Sequence, residues 1–109
     1  MWLRFLGKGG TEGGGCPSLF ATDHDTYVVQ GWKTDDPNTV EIPHLLLGFT
    51  LSDTFIGATL NDTGRGTFTL SGAPVAALEV SASTDIYPDE TCIEVPLFER
   101  TFYGAASAG

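Results

Sequence analysis

Basic residues are scarce in this sequence of 109 residues. Five lysines and arginines stand against fourteen aspartates and glutamates, so the net charge is −9 at pH 7. A field of that sign repels phosphate backbones and attracts basic surfaces. We therefore expect no binding to nucleic acid, and we expect a basic or neutral protein as the partner.

Long hydrophobic runs are also missing. The apolar opening, Met1–Leu6, leads directly into glycines. It is shorter than a signal-peptide core of about 7–15 residues or a membrane span of about 20 residues. We therefore expect a cytoplasmic protein that does not insert into a membrane. Only two cysteines occur, Cys16 and Cys92, and in a reducing compartment they are expected to be free thiols, with a disulfide as the alternative.

Motifs that bind cofactors or carry catalytic groups are absent as well. The glycine-rich segment 7–15 lacks the Lys-Ser/Thr ending of a phosphate-binding loop, and Pro17 follows it closely, so we interpret it as a mobile loop. His24 lies between Asp23 and Asp25, but three consecutive turn residues point in different directions and suit a polar turn better than a metal ion. No Gly-x-Ser-x-Gly elbow occurs. We expect no cofactor, no metal and no catalytic residue.

Short runs of β-branched and aromatic residues, separated by turn residues, dominate the rest of the chain. No window keeps a helical period for ten residues, so the pattern predicts an all-β single domain over 1–109, a small barrel or sandwich of about seven or eight strands with a frayed tail at 104–109. Tight turns are predicted at 23–25 and 61–66. The predicted strands are Trp2–Leu6, Ser18–Thr22, Thr26–Trp32, Thr39–Ile42, Thr54–Leu60, Thr67–Ser71, Leu78–Ser83 and Thr91–Val95.

An internal repeat relates two segments of the chain, 16–49 and 54–104. Thr26–Gly31 is similar to Thr67–Gly72, and Val40–Pro43 is similar to Ile93–Pro96. A chance similarity between β-rich segments is the alternative. Because proline suits the first position of a helix, Pro43 and Pro96 are each predicted to begin a short helical turn.

Three acidic side chains are candidates for catalytic groups. The repeat places Glu41 and Glu94 at equivalent positions, where they either approach each other as a carboxylate pair or point outward from their strands, as alternation along a strand requires. Asp62-Thr63-Gly64 resembles the loop of retroviral-type aspartic proteases, which are homodimers that share an aspartate dyad. A hairpin turn explains the same residues.

Aromatic residues and leucines exceed what a minimal barrel needs to fill its core. Some are expected to form an exposed patch for a protein partner or for self-association; the alternative is that they close the core. The Leu45–Leu47 run and Phe55 belong to this group. The residues predicted to bind a protein are Trp32, His44, Leu46, Phe49, Phe98, Phe102 and Tyr103.

A family resemblance rests on Gly13–Pro17 and on Val28–Pro37, with its Lys33-Thr34-Asp35-Asp36-Pro37 turn. Over about residues 13–43 the chain resembles small acidic uncharacterised actinobacterial proteins and, more loosely, BldB-like developmental regulators, which are often encoded beside helix-turn-helix regulators. The resemblance implies a non-enzymatic accessory or antitoxin-like protein. We therefore expect a regulatory interaction module, with a homodimeric structural protein or a dimeric aspartic protease using Asp62 as alternatives.

Overall fold

The computed structural model describes residues 1–9, 16–76 and 86–101, and within them the chain is almost entirely β-strand. A single 3₁₀ helix, His44–Phe49, interrupts the strands. The all-β prediction is therefore confirmed. The strands are β1 Leu3–Lys8, β2 Ser18–Thr22, β3 Thr26–Lys33, β4 Thr39–Pro43, β5 Thr54–Ile56, β6 Asn61–Asp62, β7 Thr67–Ser71, β8 Ala73–Pro74 and β9 Glu90–Glu99.

These strands form one antiparallel sheet that does not close into a complete barrel. Its main path runs β1-β2-β3-β4-β7-β6, and β9 joins it by pairing with β3 while also pairing with β5 and β8. β3 is the centre of the sheet. It pairs with β9 over Thr26–Trp32 and with β2 over Tyr27–Gln30, and its last two residues pair with β4.

Two hydrophobic clusters cover the two faces of this central part. Alternate residues of β3 enter different clusters, with Tyr27 and Val29 in the larger one and Val28 in the smaller. Burial on both faces explains why β2 and β3 have nearly continuous apolar sequences. The larger cluster contains Leu19, Ala21, Tyr27, Val29, Val40, Ile42, Leu46, Ile56, Leu70, Ile93 and Val95, and the smaller contains Phe20, Val28 and Cys92, with Met1, Leu3, Val75 and Ile86 packed against it.

The predicted elements differ from the observed ones at several places. The strand predicted over 54–60 ends at Ile56, and Asn61–Asp62, predicted as part of a turn, forms the short strand β6. A helical turn follows Pro43 as predicted. The second predicted turn is wrong, because Pro96 lies inside β9 and the residues after it pair with β5. The predicted strand 78–83, the tail 104–109 and most of the glycine-rich loop, residues 10–15, lie outside the described residues.

The same side-chain contacts occur around both hairpins of the repeated segments. In the first, Thr26 Oγ1 lies 2.6 Å from Thr22 Oγ1 and donates to Glu94 Oε2 at 2.6 Å. In the second, Thr67 Oγ1 lies 2.6 Å from Thr63 Oγ1 and donates to Glu41 Oε2 at 2.7 Å. Each glutamate thus bonds to a threonine of its own neighbouring strand, and neither has the other glutamate among its partners.

The strand pairing and the glycines match as well. Thr26 is opposite Pro96, and Thr67 is opposite Pro43. The two repeated glycines each lie under a backbone carbonyl of their own half: a methyl group at Gly31 would lie 2.7 Å from the Glu41 oxygen, and one at Gly72 would lie 2.5 Å from the Glu94 oxygen. At Gly31 the chain passes close to β4, and at Gly72 it passes close to β9. A residue without a side chain is needed at both positions.

Candidate interaction surface

The structure separates the residues that were predicted to bind a protein. Trp32 is half-buried on β3, where it is opposite Glu41 on one side and Glu90 on the other. His44 is exposed, and its ring packs on Phe68 with the ring centroids 4.2 Å apart. Trp32 thus lies on β3, whereas His44 begins the 3₁₀ helix.

The 3₁₀ helix divides its apolar side chains between the core and the surface. Leu46, one of the residues predicted to bind a partner, is fully buried in the larger cluster and so contributes to the core. With three residues per turn, the helix buries Leu46 completely and Leu47 partly, and it leaves Leu45 exposed. Leu45 is exposed and lies over Gly9, and Phe49 is partly exposed and lies over Gly7.

Phe98 forms an exposed aromatic pair with Phe55. β9 places Phe98 directly opposite Phe55 on β5, and the rings meet edge to face with their centroids 5.8 Å apart. The two residues remain 50% and 43% exposed. Gly57 lies beneath Phe98, because a methyl group there would lie 2.5 Å from the ring. Phe102 and Tyr103, predicted as part of the same patch, lie outside the described residues.

A groove of about 240 Å³ borders this aromatic pair. Its lining is mostly apolar, with threonine hydroxyls and one arginine at its margin. The exposed acids Asp53 and Glu99 flank the same strand pair, since Asp53 directly precedes β5 and Glu99 is opposite Thr54. The groove is lined by Leu47, Thr50, Thr54, Phe55, Ile56, Leu60 and Arg100.

Buried hydrogen bonds attach β5 to the centre of the sheet. The Tyr27 hydroxyl lies 2.5 Å from Thr54 Oγ1 and accepts the Leu51 N–H at 2.8 Å, while Thr54 Oγ1 donates to the Leu51 carbonyl. Tyr27 belongs to the core of β3. The edge that presents Phe55 is therefore held by the core, and a rigid edge is a suitable platform for a partner.

The other acidic sites have local roles in the described chain. Asp62 Oδ1 accepts the Gly64 N–H at 2.8 Å within the hairpin turn, and its Oδ2 lies 3.4 Å from His44 Nε2. Asp23 accepts the Trp2 N–H, and this bond holds the pKa of Asp23 below its usual value. Nowhere in residues 1–9, 16–76 and 86–101 do three or more His, Cys, Asp or Glu side chains form a group suited to a metal ion.

One carboxyl group is buried, at the start of β9. Glu90 Oε1 accepts the Gln30 Nε2–H at 3.1 Å and the Tyr87 N–H at 3.3 Å, and its Oε2 has no hydrogen-bond partner. Burial raises the pKa of Glu90 and, together with the charge of Glu90, raises the pKa of the Cys92 thiol to about 12. Cys92 is thus an unreactive structural thiol, and Cys16 and Cys92 do not form a disulfide.

Glu90 makes the stability of the protein depend on pH. Its pKa in the folded state lies above the ordinary value of 4.5, so from about that pH upward the unfolded chain releases a proton that the folded chain still holds. The free energy of unfolding therefore falls as the pH rises towards the folded-state pKa. We expect Glu90→Gln to remove this contribution. In urea unfolding between pH 4 and pH 8, the free energy of unfolding of the variant should therefore increase relative to that of the wild type as the pH rises. Equal slopes of the free energy of unfolding against pH for Glu90→Gln and the wild type would contradict the assignment.

No helix in the described part of the chain is both long and apolar enough to cross a membrane. Comparison with known proteins yields no match to a family model, to a curated protein or to a solved structure. Phe55, which the prediction of binding residues did not include, is recognised as part of the surface only through its register opposite Phe98.

Proposed function

We propose that this protein is a non-enzymatic interaction module that binds a basic protein partner through the exposed Phe55–Phe98 surface. One observation supports this most directly: two aromatic side chains are held at the surface, one of them on a glycine, in a chain with a net charge of −9. Aromatic residues are enriched where proteins bind each other, and acidic surroundings attract a basic partner.

The specific partner that we propose is a regulator with a basic DNA-binding face. An acidic module on such a face competes with the phosphate backbone, which is how an antitoxin-like accessory protein would act. The resemblance of residues 13–43 to proteins encoded beside helix-turn-helix regulators agrees with this choice. Exposed acids near the aromatic pair, Asp53 and Glu99, would meet the basic side chains of the partner.

A matched pair of surface variants tests this function. Phe5 is 49% exposed and meets Phe20 edge to face at 5.7 Å, so it is a close equivalent of Phe98 outside the proposed surface. Tagged wild type, Phe98→Ser and Phe5→Ser would each be used to recover proteins from a lysate of the source organism at low and high salt, and each recovered protein would be purified for a direct binding assay.

We expect the wild type and Phe5→Ser to bind one basic protein, more weakly at high salt, and we expect Phe98→Ser to lose about tenfold or more in affinity, as an aromatic anchor of an interface does. Affinity that is independent of salt, or equal loss in both variants, would contradict the proposal. Recovery of the protein alone, with a dimer mass by light scattering, would favour the homodimer instead.

A further inference from the structure

The strand β5 has one edge without a neighbouring strand in the described chain, since it pairs only with β9. Two backbone bonds define which groups face that edge. Arg100 N–H donates to the Asp53 carbonyl and Gly57 N–H donates to the Pro96 carbonyl, both at 2.7 Å. In an antiparallel ladder these bonds enclose a hydrogen-bonded pair at Phe55, so the N–H and C=O groups of Ile56 point away from β9.

The groove of about 240 Å³ lies on this free side of β5. Thr54, Phe55 and Ile56 line it, and the residues of β9 that pair with them do not, although Arg100, which follows β9 and bonds to the Asp53 carbonyl, lines it as well. Its opposite wall includes Leu47 and Leu60, which pack against the larger hydrophobic cluster. Ile56 is only 7% exposed, so this groove is where a partner segment would reach its backbone groups, and the apolar walls have room for one aliphatic side chain of an added strand.

The other end of the sheet shows how an edge is protected in this protein. β1 is an edge strand with Arg4 and Lys8, and its register with β2 shifts between Phe5 and Gly7. Charged side chains and bulges of this kind discourage pairing with another chain. β5, with the sequence Thr-Phe-Ile, has neither feature and is protected only by its length of three residues.

We propose that β5 binds an extended segment of the partner by strand addition, with an aliphatic side chain in the groove and with lysine or arginine residues beside Asp53 and Glu99. This inference rests on the proposed function and specifies how the same surface is used. Backbone bonds to Ile56 would supply affinity, and the groove and the two acids would select a segment in which aliphatic and basic residues alternate.

A synthetic peptide, acetyl-Lys-Val-Lys-Leu-Lys-Val-Lys-amide, is the probe, added to the ¹⁵N-labelled full chain and followed by NMR. We expect the largest shift changes at Ile56 and its neighbours, and slower hydrogen exchange of the Ile56 N–H in the complex. A peptide with an N-methyl group on its central leucine loses one backbone donor and should bind about tenfold more weakly or worse. The analogue with glutamate in place of every lysine should not bind.

Charge-removing variants test the two acids. Asp53→Asn/Glu99→Gln should weaken binding of the lysine peptide and reduce its salt dependence; Asn suits position 53, where φ is 58°. The control Asp35→Asn/Asp89→Asn removes the same charge elsewhere, with Asp89 beside the opposite end of β9, and should leave binding largely unchanged.

Several results would overturn strand addition: no peptide binding, equal binding of the N-methylated peptide, shift changes confined to other strands, or an Ile56 N–H already protected by dimerisation of the free protein. Two further outcomes distinguish a failure of strand addition from a failure of the proposed function. A purified partner whose binding depends on Phe98 but leaves the Ile56 amide unprotected would retain the interaction module and reject the strand addition. A chain that binds the peptide while no partner is recovered would reject the module.

Discussion

Replacing Gly72 by alanine should destabilise the protein by about 1–3 kcal/mol or more, among the largest effects of any single methyl group in this chain. The added Cβ would lie 2.5 Å from the Glu94 carbonyl oxygen and 2.8 Å from Val95 Cγ1. The first contact is with backbone, so rotation of a side chain cannot relieve it, and β9 must move away from the crossing. Gly31→Ala meets the equivalent contact with the Glu41 oxygen at 2.7 Å and should have a similar effect.

Gly48→Ala is the matched control. A methyl group at Gly48 has no atom within 4 Å, and the stability should change by less than about 0.5 kcal/mol. Thermal unfolding followed by circular dichroism would measure all three variants, and each 1 kcal/mol corresponds to about 4–8 °C in a domain of this size. A Gly72→Ala protein as stable as Gly48→Ala would show that the close crossing of the strands does not exist in solution.

Leu46→Ala should cost about 2–5 kcal/mol, because it removes a fully buried side chain from the larger cluster and leaves a cavity. Leu46→Met keeps the volume and should cost less than about 1.5 kcal/mol. Urea unfolding would give these values. The result decides whether Leu46 acts in the core, as its burial indicates, or at a surface, as the sequence pattern predicted.

The adjacent leucine provides the comparison for this prediction. Leu45 is 54% exposed, so Leu45→Ala should change stability far less than Leu46→Ala. Binding of the partner by folded Leu46→Met should match the wild type. Loss of binding in that variant without loss of stability would indicate that Leu46 contributes to the interaction surface.

Local sequence patterns are sufficient to predict the strands and turns of much of the sheet. β2 and β7 have the predicted bounds, because each is a short run of apolar, aromatic and threonine residues beside a tight turn. The hairpin at 61–66 has Gly64 and Gly66 at positive φ, as its sequence suggested. The sequence around Pro96 predicts a helical turn where the structure has a strand, because proline at the start of a turn and proline within a strand have the same local pattern, and only pairing with β5 distinguishes them.

The sequence by itself determined the all-β class, the strongly acidic character and the positions of the tight turns, because these depend on composition and on neighbouring residues. Tertiary structure alone decided which apolar side chains are exposed. Leu45 and Leu46 are adjacent and chemically identical, yet the rotation of one 3₁₀ helix buries the second. Phe55 and Phe98 are distant in the chain, and only the register of β5 with β9 brings them together as a surface, since antiparallel pairing depends on contacts that no local pattern contains.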